Sequence, residues 1–322
     1  MSTLKYVLKR FGLMILSFLI IMMISFILVK MLPFRSEAQG QQALIEEARR
    51  EALGYNKPIM EQMIIYAKNV ITKWDWGVSW KIDYLADVTE VVGDRLVPTI
   101  LLNVYSLLIS IPIGIIFGII AALKKNKWQD QVISTGVMLF ISVPSFVYAF
   151  LVQYIFAFKL GWLPPIASSL TDAGGNYLSW TMTESLILPV VSMAFGSIAG
   201  LTRNTRAELT EALTSDYMLL ARTKGLTKSQ SIVRHALKNA MVPILPGILS
   251  GFLGILSGSM IIEQIFAVPG AGSLYVKAIS LRDYDVFIFL TAFYTFLGLA
   301  ANIFIDISYG FLDPRIRVGA KK

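Results

Sequence analysis

Cysteine is absent from the 322 residues, and histidine occurs once, at His235. Without cysteine there is no disulfide, no thiol chemistry and no thiolate metal ligand. A single imidazole gives no basis for a histidine metal cluster or a His-dependent catalytic centre. Charge is scarce: 16% of residues are charged, against about 25% in soluble domains. No G-x-x-x-x-G-K-[ST] phosphate loop occurs, and Lys224-Gly225 has the reverse order, so no P-loop binds ATP here. No Gly-x-Ser-x-Gly nucleophile elbow occurs either. The expectation is a chain with no catalytic residues, no metal ligands and no cofactor of its own.

Apolar sequence is what the chain has in abundance: 55% of residues are hydrophobic. Six runs approach the ~20 residues that a bilayer core requires. They lie at 11–32, 98–123, 132–159, 185–203, 243–265 and 286–311. The first is too long for a signal-peptide core and lacks a small-residue cleavage site, so it reads as a retained span. These runs divide the chain into span one with its N-terminus (1–32), a long polar segment (33–97), a core of five spans (98–311) and a tail (312–322).

Basic residues follow the membrane and give no nucleic-acid signal, although the net charge is +8. Lys5, Lys9 and Arg10 precede span one. Lys124, Lys125 and Lys127 follow span two. Arg203, Arg206, Arg222, Lys224, Lys228, Arg234 and Lys238 flank or fill the 204–242 insert. Arg315, Arg317, Lys321 and Lys322 close the chain. In a six-span topology all of these share one side, which is the cytoplasmic side by the positive-inside rule. Both termini are then cytoplasmic, and 33–97 lies outside the cell membrane. Within 33–97, Gln39 to Leu53 and Ile59 to Trp74 read as helices separated by a Gly54–Pro58 turn. Trp74, Trp76 and Trp80 suit a membrane interface. This segment reads as a cap on the bundle, as a surface for an external partner, or as both.

The 204–242 insert is polar, basic and helix-rich. Leu209, Leu213, Tyr217, Leu220 and Ala221 recur at helical spacing. Ser215 or Asp216 is placed to cap a short helix, and Gly225 to end it in a left-handed turn. Thr227 to Gln230 has the form of a capping box. A link with its own caps and apolar face reads as a docking element. Within the spans charge is sparse, and the carboxylate singled out is Asp306 near the cytoplasmic end of span six, which reads as an interfacial partner. Pro112, Gly114, Pro144, Gly196, Gly200, Pro246 and Gly247 permit close packing or kinks. Asn103, Ser142, Thr202, Ser257 and Met260 are the polar or adaptable positions selected as candidates for a translocation path.

Several stretches resemble a known family. Glu211-Ala212-Leu213, Asp216-Tyr217, Ala221-Arg222-Thr223-Lys224-Gly225-Leu226 and Arg234-His235-Ala236-Leu237-Lys238-Asn239 resemble the EAA loop of bacterial ATP-binding-cassette importer permeases. Leu213 stands where that motif has alanine. Arg95-Leu96-Val97-Pro98-Thr99, Pro144-Ser145-Phe146, Leu160-Gly161-Trp162-Leu163-Pro164, Glu263 to Gly270, Arg282-Asp283-Tyr284 and Asp313-Pro314-Arg315-Ile316-Arg317 narrow the likeness to the B-type subunit of the dipeptide/oligopeptide/nickel permeases. The likeness spans nearly the whole chain. It implies an all-α polytopic protein of the bacterial cytoplasmic membrane, with six transmembrane helices and an extracytoplasmic helical segment between spans one and two. It further implies a homologous second permease that shares the path, two cytoplasmic ATPases that carry ATP and Mg, and an external substrate-binding protein. The implied cargo is a peptide, with a nickel chelate as the alternative within the family. Glu211, Ala212, Asp216, Tyr217, Leu220, Ala221, Arg222 and Gly225 would couple to an ATPase, with Tyr217, Leu220 and Ala221 forming one surface. A secondary transporter would instead need midplane ionisable groups. A membrane enzyme or receptor is the third reading, and no catalytic constellation favours it.

Overall fold

The computed structural model describes residues 3–32, 40–257 and 259–312. Gly258, the side chains of Ser257 and Asp306, and the tail motif at 313–317 lie outside the described residues. The elements are helical throughout the described residues, apart from an isolated bridge between Val78 and Asp87. In order they are α1 (Thr3–Lys30), α2 (Gln41–Ala52), α3 (Ile59–Lys73), α4 (Val88–Leu123), α5 (Trp128–Ser142), α6 (Ser145–Val152), α7 (Trp180–Leu213), α8 (Asp216–Thr223), α9 (Lys228–Ser231), α10 (Lys238–Leu253), α11 (Met260–Ile265), α12 (Ala271–Leu281) and α13 (Tyr284–Leu312). Five helices among the described residues are long and apolar enough to cross a membrane, and a bent pair makes a sixth.

That bent pair is the first departure from the apolar-run reading. The run at 132–159 folds as two arms, Trp128–Ser142 and Ser145–Lys159, bent by 105°. Pro144 explains the break, because its ring pushes the preceding residue out of the helical region. Val143 is accordingly extended, at φ −86° and ψ 129°. The second arm finishes in a π-helical stretch, Gln153–Lys159. There Gln153 Nε2 donates to the carbonyls of Pro165 (2.7 Å) and Ile265 (3.2 Å).

The insert at 204–242 is not a separate unit. α7 runs on to Leu213, well beyond the expected span end at 203, and the fifth span begins at Lys228 rather than 243. A π-helical stretch, Ile232–Leu237, joins α9 to α10. Only 214–227 interrupts the two long helices, and it carries α8. The fifth span also ends early. After Leu253 the chain passes through a 3-10 turn, Gly254–Ser257, and α11 follows as a short helix.

The α4–α7 pair forms the spine of the bundle. A Cβ on Gly118 would stand 2.4 Å from Thr205 Cβ, and one on Gly114 would stand 2.9 Å from Leu201 Cβ. Glycine at these positions lets two long helices touch along their backbones, the usual means of helix association in lipid. Nearby, Asp130 on α5 takes a two-pronged bond from Arg206 on α7: Nε at 2.6 Å and a terminal guanidinium nitrogen at 2.8 Å. The Asp130 carboxylate also accepts from Asn126 N–H and Ser134 Oγ.

At the opposite end, α2, α3 and the loop to α4 form a cap seated on the start of α13. Asp283 is fully buried and accepts from Ser79 Oγ (2.6 Å) and the N–H groups of Trp80, Lys81 and Ile82. Asp285, also fully buried, accepts from Tyr55 Oη (2.5 Å), Trp80 Nε1 (3.1 Å) and Lys30 Nζ (3.3 Å). The Lys30 ammonium stands 3.5 Å over the Tyr55 ring. Burial and the Asp285 charge push the Tyr55 phenol well above its ordinary range, so it stays a neutral donor at physiological pH.

Candidate functional site

The turn at 214–227 is assembled from three helix ends. α7 stops at Leu213, and Ser215 starts α8 in an extended conformation, φ −76° and ψ 154°. Ser215 Oγ donates back to the Ala212 carbonyl (2.6 Å), so it does not cap α8 through its side chain. Asp216 occupies the first turn of α8 and Arg222 the last, each at the helix end whose dipole favours its charge. Gly225 takes φ +84°, and no atom beyond its chain neighbours lies within 4 Å of where its Cβ would be. Its constraint is therefore backbone conformation, which L residues with a branched Cβ resist. Thr227 and Gln230 form the expected reciprocal capping box and start α9.

α8 has two unlike faces. Met218 and Ala221 are buried in a cluster with Ala122, Leu209, Ala212, Ala236 and Ala240, and Ile119, Leu213 and Ile232 pack around it. This face packs on the Ile232–Leu237 stretch and α9, and belongs to the buried cluster that the ends of α4, α7 and α10 also enter. Tyr217, Leu219 and Leu220 face away, at 37%, 62% and 56% exposure. Ala221 thus departs from the surface expected for it. It lies at i+3 from Met218 and shares the inward face, leaving Tyr217 and Leu220 with Leu219 as the outward one. The helical rhythm from Leu209 to Ala221 does not belong to one helix, because the chain turns at Thr214–Ser215. Glu211 is exposed, and Ala212 is buried within the cluster. Leu219 escaped the sequence reading because a rhythm anchored on Leu209 and Tyr217 skips it. Met218 and Ala221 at i, i+3 carried the usable signal.

The five path candidates are distributed over α4, the α5–α6 bend, α7, the 3-10 turn and α11. Asn103 is buried and donates to the Thr99 carbonyl of its own helix at 2.8 Å. Thr202 is buried between α7 and α4, donating to the Gly114 carbonyl at 3.2 Å. Both are spent on packing. Ser142 is exposed at the α5–α6 bend, and Met260 is 38% exposed at the start of α11. Ser257 stands in the 3-10 turn. A groove of about 240 Å³ opens instead between α4, α7 and α10, with Ser197, Asn204, Pro243, Gly247 and Gly251 among its lining.

Motifs far apart in sequence converge at a second site. Glu263 is fully buried; its carboxylate accepts from Thr99 Oγ1 (3.1 Å), Ser259 N–H (3.3 Å) and Ser273 N–H (2.8 Å). Thr99 Oγ1 in turn accepts from Ala271 N–H at 2.8 Å. The start of α4 is thereby fixed to α11 and α12. No group of three or more His, Asp or Glu side chains among the described residues is arranged to hold a metal ion.

The comparisons with known proteins agree with this arrangement. Residues 114–318 match the model of the family described as binding-protein-dependent transport system inner membrane component. The dipeptide transport system permease protein DppB of Bacillus subtilis is 33% identical over 98% of this chain and 99% of its own length. The DppB of Lactococcus lactis subsp. cremoris is 32% identical over 98% and 99% respectively. The oligopeptide transport system permease protein OppB of Haemophilus influenzae is 34% identical over 81% of this chain and 82% of its own. A multi-pass helical chain with a two-faced helix seated on three span ends, matched in this way along its length, belongs to the family of inner membrane components of binding-protein-dependent transport systems.

Proposed function

We propose that this chain is the permease subunit of an ATP-driven importer for peptides. It forms the path with a homologous second permease, is driven by two cytoplasmic ATPases that carry ATP and Mg, and receives cargo from an external binding protein. The observation that carries the coupling role is the division of α8. Its inner face packs on the Ile232–Leu237 stretch and, through Met218 and Ala221, enters the cluster shared by the ends of three spans, and its outer face leaves Tyr217, Leu219 and Leu220 in the open. Tyrosine is among the usual anchors of an interface, and Leu219 and Leu220 extend the apolar surface beside it. A rigid helix gripped on both faces transmits a displacement, and here it would reach α4, α7 and α10 together.

The peptide cargo is supported by the relatives, which are named as dipeptide and oligopeptide transport permeases. The α4–α7–α10 groove supports the path, because Ser197 and Asn204 are poor partners for lipid. In this reading the end bearing α8 faces the cytoplasm and the cap faces outward, as the basic residues imply. The test is uptake into vesicles holding both permeases, both ATPases and the binding protein. Labelled dipeptides and longer peptides are expected to accumulate only with ATP. Accumulation of a nickel chelate in place of peptides, or uptake without the ATPases, would contradict the proposal.

A further inference from the structure

α1 and α3 enclose a groove of about 380 Å³, apart from the one between α4, α7 and α10. Phe18, Leu19 and Met22 line it from α1, and Ile64, Ala67 and Ile71 from α3. Its depth follows from the spans. The first apolar span ends at Lys30 and the last begins at Tyr284, and the Lys30–Asp285 pair holds these two ends at one level. At 1.5 Å per residue, Phe26 to Phe18 stand about 6–18 Å along α1 from Lys30, which covers one half of a bilayer core ~30 Å thick. α3 reaches past that level as well. The Tyr66 ring packs on Phe26, centroids 5.3 Å apart, and Met63 and Met22 join the same buried cluster. Trp76, just beyond α3, meets Phe289 edge to face at 4.9 Å, ~6 Å along α13 from Asp285 at the same rise.

At this depth α3 carries an apolar stripe that the chain leaves open. Met60, Ile64, Ala67, Ile71 and Trp74 recur at i, i+4, i+7, i+11 and i+14. All five are exposed, Ile64 to 64% and Ile71 to 82%. Glu61, Lys68 and Thr72 form an exposed polar edge beside the stripe. Gln62 faces inward and donates to the carbonyls of Tyr55 and Lys57. An exposed apolar stripe, a polar edge and a terminal tryptophan are the features of a helix lying in a membrane interface. The stripe opens into the groove, and across it Leu19 and Met23 are exposed too, continuous with Leu16 and Ile20 on the outward surface of the span. The groove offers a protein partner no free polar group. Of its lining, Tyr66 and Trp76 alone carry one; the Tyr66 hydroxyl donates to the Trp76 carbonyl, and the Trp76 indole nitrogen is buried.

We propose that α3 is immersed in the leaflet on the cap side of the bilayer, and that a phospholipid acyl chain lies in the groove against Leu19, Met22, Ile64 and Ile71. The 33–97 segment is then in part a membrane element rather than wholly external. The chain has no cysteine of its own, so a nitroxide can be placed at one position at a time, at Ile64→Cys, Ala67→Cys or Ile71→Cys. Glu61→Cys on the polar edge is the control. The complete importer is reconstituted in vesicles of dioleoyl phosphatidylethanolamine and phosphatidylglycerol, and the unsubstituted complex gives the background from partner cysteines. Collisions of the nitroxide with oxygen, which concentrates among acyl chains, are compared with collisions with a water-soluble nickel chelate. Oxygen accessibility is expected to exceed that of the chelate several-fold at 64, 67 and 71, and the order to reverse at 61. Access of the chelate to the three stripe positions would mean that the stripe faces water and would overturn the proposal. Low access of both reagents there, with an immobilised spectrum, would mean that the second permease or another protein covers the stripe, and would overturn it equally. Neither result depends on the identity of the cargo.

Discussion

The two ends of this molecule solve the same problem in opposite ways. Each must place a segment outside the spans. The cap binds itself down: Asp283 and Asp285 satisfy Ser79, Trp80, Tyr55 and Lys30 internally, and the two carboxylates are fully buried. The turn that carries α8 does half as much. Its helix buries Met218 and Ala221 and leaves Tyr217, Leu219 and Leu220 uncovered. The difference lies in the polar anchoring, because the cap too leaves apolar side chains exposed, among them Leu44, Met60, Ile64 and Ile71. A segment whose polar groups are paired within the chain is held by that chain, whereas a helix seated on one face only has a second face to be filled.

The contrast breaks most sharply at Asp283. Asp283→Ala would strip the acceptor from one hydroxyl and several backbone N–H groups, each worth about 1–3 kcal/mol when buried. We expect a loss of about 3 kcal/mol or more and release of the cap, read as new protease cuts within 40–87 in detergent-solubilised protein. Asp283→Asn, which keeps one acceptor oxygen, should lose less. An unaltered cleavage pattern in the alanine variant would show that the cap is held by something else.

Gly118→Ala tests the spine on which both ends depend. The added methyl meets Thr205 at 2.4 Å, and overpacking of this kind costs about 1–3 kcal/mol. The melting temperature should fall, and Thr205→Gly on the same chain, which removes the Cβ that the methyl meets, should recover part of it. No recovery would place the strain elsewhere.

At the coupling turn the expected costs are smaller and local. Gly225→Val forces a branched residue to positive φ for about 1–2 kcal/mol. Uptake should be lost while membrane insertion and the melting of the spans are kept. Gly225→Asn, better suited to that conformation, should retain more activity. Full uptake by Gly225→Val would remove the left-handed turn from the mechanism. Arg222→Gln should do least: an exposed pair at the rim of an interface is typically worth under about 1 kcal/mol, so most uptake should survive.

Local chemistry was the most legible part of the sequence. Gln41–Ala52, Ile59–Lys73, the Thr227–Gln230 capping box and the Gly225 turn each follow from residues within a few positions of one another. Helix continuation was harder to read. Hydropathy falls after Leu201 and rises before Val242, yet α7 and α9–α10 extend into the polar stretch, because helicity does not require an apolar face all round. Proline misleads for a related reason. Pro98, Pro112, Pro189, Pro243 and Pro246 lie inside unbroken helices, whereas the chain bends at Pro144. Neighbouring helices decide which freed backbone groups are tolerated. The Lys30–Asp285 pair is separated by 255 positions, and nothing local in the sequence announces it. The same holds for Ala221: composition marks it as apolar, and only the ends of α4, α7 and α10 turn it inward.

The central claim is that the outer face of α8 is where an ATPase grips, and that its apolar side chains matter more than its charges. The most direct measurement compares Tyr217→Ser/Leu220→Ser with the unsubstituted chain in the complete reconstituted importer. ATPase retention on purification and ATP hydrolysis stimulated by the loaded binding protein are followed together. The account predicts a chain that inserts and melts normally, because neither side chain belongs to the buried cluster, but that loses its ATPases or hydrolyses ATP without import. Normal coupling in this double variant, with uncoupling in Arg222→Gln, would contradict it and make the interface electrostatic.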